Sequence, residues 1–232
     1  MASIAQNLLE INDRVRAACS RTGRDAAEVS IIGVTKMVPL DRIREGIEAG
    51  VKILGENYVQ EAVKKIQALS DLPVSWHFIG RLQSNKAKVA LESFDVIHTV
   101  DRESLALELN RLAHKRGKRV PVLIQVNTGH EGSKSGLAPE ELFNFFERLS
   151  TFDGLEIHGL MALPPYYDDP EKVRPHFRQL RELLQRLRRQ AVRPEELSEL
   201  SMGMSHDFEV AIEEGATMIR IGTALFGTRS VS

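Results

Sequence analysis

Eight short apolar runs, each followed by a longer amphipathic stretch or the chain end, constrain this sequence more than any other feature. They occupy residues 29–34, 51–54, 74–79, 94–99, 120–126, 155–161, 197–201 and 217–221, and are rich in Val, Ile and Phe. Runs of this kind suit strands of a parallel sheet covered on both faces. The intervening segments, such as "LDRIREGIEAG", "NYVQEAVKKIQAL" and "RESLALELNRLAHKRG", carry apolar residues at helical spacing. Several end at a glycine just before the next run (Gly50, Gly117, Gly215), the usual left-handed helix stop. Eight strand–helix units in 232 residues predict a (β/α)8 TIM-like barrel, with a doubly wound open sheet as the competing arrangement. Ile4, Leu8, Ile11, Val15 and Ala18 repeat at helical spacing ahead of the first run, which adds an N-terminal helix. No Gly-, Ser- or Pro-rich linker interrupts the pattern, so residues 1–232 read as a single domain.

Charge and cysteine content then remove whole classes of function. A formal net charge of −1 supplies no general attraction to nucleic acid or to an anionic membrane. The basic stretch "RQLRELLQRLRRQ" is the solvated face of a helix whose apolar positions are Val173, Phe177, Leu180, Leu184 and Leu187. No apolar run approaches the length needed to span a bilayer, and the N-terminus lacks the layout of a secretory signal. The single cysteine, Cys19, excludes an intrachain disulfide and suits a reducing compartment. The expectation is a cytoplasmic protein, and the lack of a self-complementary apolar strip points to a monomer.

In an α/β barrel the reactive rim lies at the C-terminal strand ends. There the sequence places Thr35-Lys36, Gly55-Glu56-Asn57, His77 with Gly80-Arg81, Asn127, "HGLMALPP", "SMGMSHD" and Arg220 with Gly222-Thr223. The opposite rim receives ordinary joints. "SMGMSHD", with Ser205 as a candidate N-cap, and "RIGTALFG" have the serine, glycine and turn chemistry of an anion site, and strands seven and eight recur as phosphate sites in barrels. Lys36 admits two readings: a snorkelling strand-end lysine, or an amine desolvated enough to attack an aldehyde. A lysine together with a phosphate pocket points to pyridoxal 5′-phosphate or to a Schiff-base aldolase.

The ordered set "VTKMVP", "GENYVQE", "WHFIGRLQSNK", "GLMALPP", "LSMGMSHDFEVAI" and "GATMIRIGTALFG" closely resembles the pyridoxal phosphate homeostasis proteins, the YggS/PROSC family, from about residue 30 to the chain end. The resemblance implies a type III pyridoxal phosphate fold, like the barrel of alanine racemase. It implies that Lys36 carries pyridoxal 5′-phosphate as a Schiff base. It also implies that Ser201, Met202, Gly203, Gly222 and Thr223 hold the phosphate, that Arg220 faces the pyridine nitrogen, and that Asn57 and His77 line the cofactor. Arg81 and the loop "NTGHEGSKSG" fall where members of the family vary. On the residues alone, Arg220 also fits an ion pair inside the barrel and His77 a core histidine satisfied by backbone. No metal site is expected.

Three functions remain. A racemase-type enzyme needs acid/base groups on both faces of the substrate α-carbon, and the second domain that supplies one of them in related racemases is not expected here. A non-catalytic carrier that holds exchangeable cofactor, serves vitamin B6 and amino/keto-acid homeostasis, and has apo-enzymes as possible recipients fits better. The third is an interaction module tuned by the cofactor, with the basic helix over residues 171–190 as its candidate surface.

Overall fold

The computed structural model describes residues 3–129 and 135–227. Eight parallel strands, β1 (Ser30–Val34), β2 (Ile53–Glu56), β3 (Ser75–Phe78), β4 (Val96–Val100), β5 (Val120–Val126), β6 (Leu155–Ala162), β7 (Glu199–Met204) and β8 (Met218–Ile221), close in sequence order. β8 returns to pair with β1, Ile32 against Arg220, so the open-sheet alternative is excluded.

The helices are α1 (Ile4–Thr22), α2 (Leu40–Glu48), α3 (Val59–Ala68), α4 (Ala87–Ser93), α5 (Glu103–Arg116), α6 (Leu142–Leu149), α7 (Arg174–Gln190), α8 (Phe208–Glu213) and α9 (Thr223–Phe226). The N-terminal helix begins at Ser3, whose side chain accepts from the Gln6 N–H, and stops at Gly23 in the left-handed region. All five of its spaced apolar residues are buried, and it packs against α2, α8 and α9. The apolar stripe of α7 is buried likewise, whereas Arg174, Arg178 and Arg181 of its basic face converge on Glu214. Gly50, Gly117 and Gly215 all have positive φ, as expected at helix ends.

Most buried apolar residues form one shell between the sheet and the helices. The barrel interior is different. Gly55 faces inward, since a Cβ there would meet Ile32 and Ile79. Around it stand buried polar side chains from β3, β4, β7 and β8: His77, His98, Ser201 and Arg220. A TIM barrel interior is ordinarily filled by layers of branched aliphatic residues, so this polar filling marks the part of the barrel given over to a site.

Candidate functional site at the barrel mouth

Lys36 lies in the turn after β1, and the network around it distinguishes it from a second lysine nearby. Lys65 on α3 is buried, and its Nζ donates to the Thr35 carbonyl (2.5 Å), Glu56 Oε1 (2.7 Å) and Glu61 Oε1 (2.6 Å). All three ammonium protons are engaged, which leaves Lys65 no role as a nucleophile. Thr35 Oγ1 adds a 2.7 Å bond to Glu56 Oε1, and Glu61 Oε1 accepts from the Met37 N–H at 2.8 Å. Met37, the one non-glycine described residue at positive φ (58°), is thereby held in a conformation that L-residues avoid. The two residues flanking Lys36 are pinned, while Lys36 itself makes no hydrogen bond to any of the described residues. Its Nζ sits 5.1 Å from the centroid of the Tyr58 ring.

Burial raises the Glu56 carboxyl above its ordinary range, opposed by the bonds from Lys65 and Thr35. Its Oε2 has no partner. At Glu61 burial also pushes upward, but the bonds from Lys65 and the Met37 N–H prevail and hold it low. These residues face the helix layer, so the Lys36 turn is braced from outside the barrel.

Inside, one hydrogen-bonded chain crosses the barrel. Arg220 Nη1 donates to Ser201 Oγ (2.7 Å) and Nη2 to the Ala162 carbonyl (2.8 Å). Ser201 Oγ lies 3.0 Å from His98 Nδ1, and His98 Nε2 lies 2.9 Å from His77 Nδ1. A guanidinium only donates. The arrangement that leaves no hydroxyl proton unused therefore has Ser201 donating to His98 Nδ1, His98 donating from Nε2, and His77 carrying its proton on Nε2. Burial lowers His77 to about 4 and takes His98 well below its usual value, so both rings are neutral at pH 7. Burial also lowers Arg220 to about 10, leaving it a cation at pH 7. No carboxylate lies within ion-pair distance of Arg220 among the described residues. Neither bland sequence reading survives: Arg220 is not in an ion pair, and His77 is satisfied by His98 rather than by backbone.

The two candidate phosphate segments meet. Ser205 Oγ, after β7, accepts from the N–H groups of Gly222 (3.3 Å) and Ala224 (3.4 Å), after β8. Two backbone donors converging on one oxygen define a seat for an anion. Ser205 is not the N-cap predicted from the sequence. Asp207 occupies that position before α8, and its Oδ1 instead accepts from the Met204 N–H (2.6 Å). Gly203 has φ +90°, and a Cβ there would lie 2.6 Å from that of Ala211. The strand end thus runs tight against α8, across a register shift between Ser201 and Met204. Thr223 is exposed at the start of α9. The Met202 side chain belongs to the sheet–helix core, so any contact it makes with a ligand is through its backbone.

At the same strand ends lies a cavity of about 390 Å³, lined by Asn57, Gly80, Arg81, Gln125, Tyr166 and Met204 among others; Lys36, Arg220, Gly222 and Thr223 are not part of its lining. Asn57 reaches this wall because Gly80 lets β2 and β3 end in contact: a Cβ on Gly80 would lie 2.1 Å from the Asn57 carbonyl oxygen. The structure thus gathers Lys36, Asn57, His77, Ser201, Arg220, Gly222 and Thr223 at or just below one rim. Sequence reasoning missed His98, Glu61 and Lys65, and it placed Glu56 on the reactive rim, whereas the carboxylate faces the helix layer and pairs with Lys65. A second cavity of about 400 Å³, lined by Phe146, Phe152 and Val192, opens near the N-terminal strand ends, away from this chemistry. Residues 130–134 of the "NTGHEGSKSG" loop lie outside the described residues. No cluster of His, Cys, Asp or Glu among the described residues could hold a metal ion.

Residues 7–230 match the family described as alanine racemase, N-terminal domain. A pyridoxal phosphate homeostasis protein of Aquifex aeolicus (strain VF5) is 48% identical over 224 residues, 97% of each chain. The chain belongs to the pyridoxal phosphate homeostasis proteins. The structure of PipY from Synechococcus elongatus PCC7942 with PLP bound is 39% identical, with a TM-score of 0.83 over 97% of this chain and 100% of that one. An alanine racemase of Clostridium difficile 630, 14% identical, shares the fold with a TM-score of 0.76 over 99% of this chain and 57% of its own. The family resemblance read from the motifs is borne out, and so is the (β/α)8 barrel.

The residues at the mouth fit the cofactor this family is named for. They offer an amine without a hydrogen-bonded partner, two converging N–H groups beside two glycines, and a buried guanidinium below them.

Proposed function

We propose that this chain binds pyridoxal 5′-phosphate at the barrel mouth, tethered as an exchangeable Schiff base at Lys36. In this reading it takes part in vitamin B6 and amino/keto-acid homeostasis without turning over a substrate of its own. The carrying observation is the 39% identity, over nearly all of both chains, to PipY solved with PLP bound. When bound, pyridoxal phosphate supplies an aldehyde for the tether and an electron-withdrawing pyridine ring.

Each residue then has a distinct task. Lys36 supplies the amine, in a turn braced by Lys65, Glu56 and Glu61. Gly203, Gly222 and Thr223, with the backbone of Met202, form the phosphate seat, where Ser205 now shares the donors. Arg220 is a cation fixed by Ser201 and Ala162. Next to a ring nitrogen it donates and disfavours protonation of that nitrogen, which weakens the ring as an electron sink. Asn57 and His77 flank the ring. That electrostatic choice supports a carrier over a racemase-type enzyme. The protein is monomeric and cytoplasmic in this reading, with apo-enzymes as recipients; no helix among the described residues is long and apolar enough to cross a membrane.

Borohydride reduction of the yellow, loaded protein followed by peptide mapping tests the tether. The label belongs on Lys36 and disappears in Lys36→Ala; a label on another lysine overturns the assignment. In deuterium oxide, amino acids presented to the loaded protein should show no catalytic α-proton exchange, and saturable exchange would restore the enzyme reading.

A further inference from the structure

The largest of the described cavities is not the cofactor mouth. It adjoins the mouth, has a volume of about 720 Å³, and lies between the start of α3, the turn after β3 and the residues before α5. Three cations line it, Arg81, Lys86 and Arg102, and no carboxylate does. Arg102 is anchored and partly compensated, with Nη1 on Asp101 Oδ1 (2.7 Å) and Nη2 on the Leu82 carbonyl (2.6 Å). Among the described residues, neither the Arg81 side chain nor the Lys86 side chain has an ion-pair or hydrogen-bond partner; the Lys86 N–H donates to the Gln83 carbonyl. Most described arginines, Arg14, Arg21, Arg44, Arg111 and Arg174 among them, are matched to an acid, so Arg81 departs from the pattern of its residue type. Gln60 and Asn85 add neutral amide groups to the lining.

We propose that this cavity is a second anion site and that its ligand is a phosphate monoester. Two uncompensated cations and a third that is half-compensated call for a dianion rather than a single carboxylate. The volume exceeds that of a bare phosphate, leaving room for the organic body of an ester against Phe78 and Leu82. The site is adjacent to the tether and shares part of its wall with the mouth, but Lys86, Arg102, Gln60 and Asn85 line this cavity and not the mouth cavity. Asn57 and Arg81 line both this cavity and the mouth, and Tyr58, whose ring lies beneath Lys36 Nζ, lines this one. The site stands on its own lining and does not depend on the Lys36 tether.

The test uses the full chain, loaded with pyridoxal phosphate and reduced with borohydride so that the mouth is filled. Inorganic phosphate and adenosine monophosphate are then titrated by calorimetry. Saturable one-site binding is expected, weakened about tenfold by Arg81→Gln and again by Lys86→Gln, as loss of a charge-assisted contact implies. Tighter binding of the ester identifies an organic phosphate as the ligand. Binding of inorganic phosphate alone keeps the anion site but overturns the ester. No saturable binding, or equal affinity in wild type and both variants, overturns the site itself. Loading is read from the yellow colour before the titration, so a failure to load counts against the cofactor proposal alone. The same titration then proceeds on the unloaded chain, where the mouth also takes the anion and only the component weakened by Lys86→Gln is assigned to the cavity. Neither side chain has a hydrogen-bond or ion-pair partner among the described residues, and matching melting curves would confirm that both variants fold.

Discussion

Replacing His77 with glutamine should flatten the acid side of the stability profile. His77 falls from an ordinary 6.5 to about 4 in the folded chain because burial penalises its charged form. The folded state therefore binds fewer protons than the unfolded state between these values. Its contribution is complete above pH 6.5, erodes as the pH falls, and is gone below about 4. Carried from pH 7 to pH 5, these two values cost the folded state about 2 kcal/mol. For a chain of this size that corresponds to a fall of about 4–8 °C in Tm. His98 moves in the same direction, through burial first and then its charged or protonatable neighbours His77 and Arg220, but it is present in both proteins. The surface carboxylates are common to both as well, so the difference between the two profiles reports His77 together with the His98 ring it contacts. The assay is thermal unfolding of the unloaded chain at pH 7 and pH 5, wild type against His77→Gln. A variant that loses as many degrees as the wild type over that range would refute both the assigned neutrality of His77 and the hydrogen-bonded chain built on it.

Two further perturbations address the supports of the site. Lys65→Met leaves Glu56 buried beside an apolar side chain and should cost about 3–5 kcal/mol in urea unfolding. Adding Glu56→Gln should recover part of the loss, and a single variant as stable as wild type would show that the buried cluster does not brace the Lys36 turn. Gly80→Ala places a methyl group 2.1 Å from the Asn57 carbonyl oxygen, so the ends of β2 and β3 must separate. A loss of about 1–3 kcal/mol is expected, together with weaker cofactor retention by gel filtration; an unchanged urea midpoint would mean that the close approach is not required.

The barrel was legible because its strands are buried on both faces and mostly apolar, and each of the eight overlaps the run that predicts it. The errors cluster where a polar residue or a strand end is settled by contact with another element of the fold. The second run was ended at Leu54, yet β2 continues through Glu56, which Lys65 neutralises from α3. The seventh was ended at Ser201, yet pairing resumes at Met204 beyond a register shift. Ser205 looked like a cap because a serine before a helix usually is one, but its acceptor is used by another βα unit. His98 could have been found: it interrupts the run "VIHTV" at a position that must point into the barrel or into the helix layer, and a histidine in either place requires a partner. Lys65 had no such signal. At helical spacing from Glu61 it reads as an ordinary exposed pair, and only the fold brings Thr35 and Glu56 against it.

The location of these supports bears on exchange. The hydrogen-bonded chain from Arg220 to His77 fixes the floor of the site, while the brace on the Lys36 turn lies on the other side of the sheet, between β2 and α3. The proposed phosphate seat has a third device, Ser205 linking the ends of β7 and β8. Because these three sets of side chains share no hydrogen bond, weakening one need not disturb the others, and their effects on cofactor affinity should be close to additive. A turnover enzyme gains from coupling its acid/base groups to the reacting atoms. A carrier instead needs a rigid floor, one amine without a competing partner, and an anion seat that a serine hydroxyl can share when the phosphate departs. Lys36, with no hydrogen bond of its own, and Ser205, with two long ones, meet those requirements.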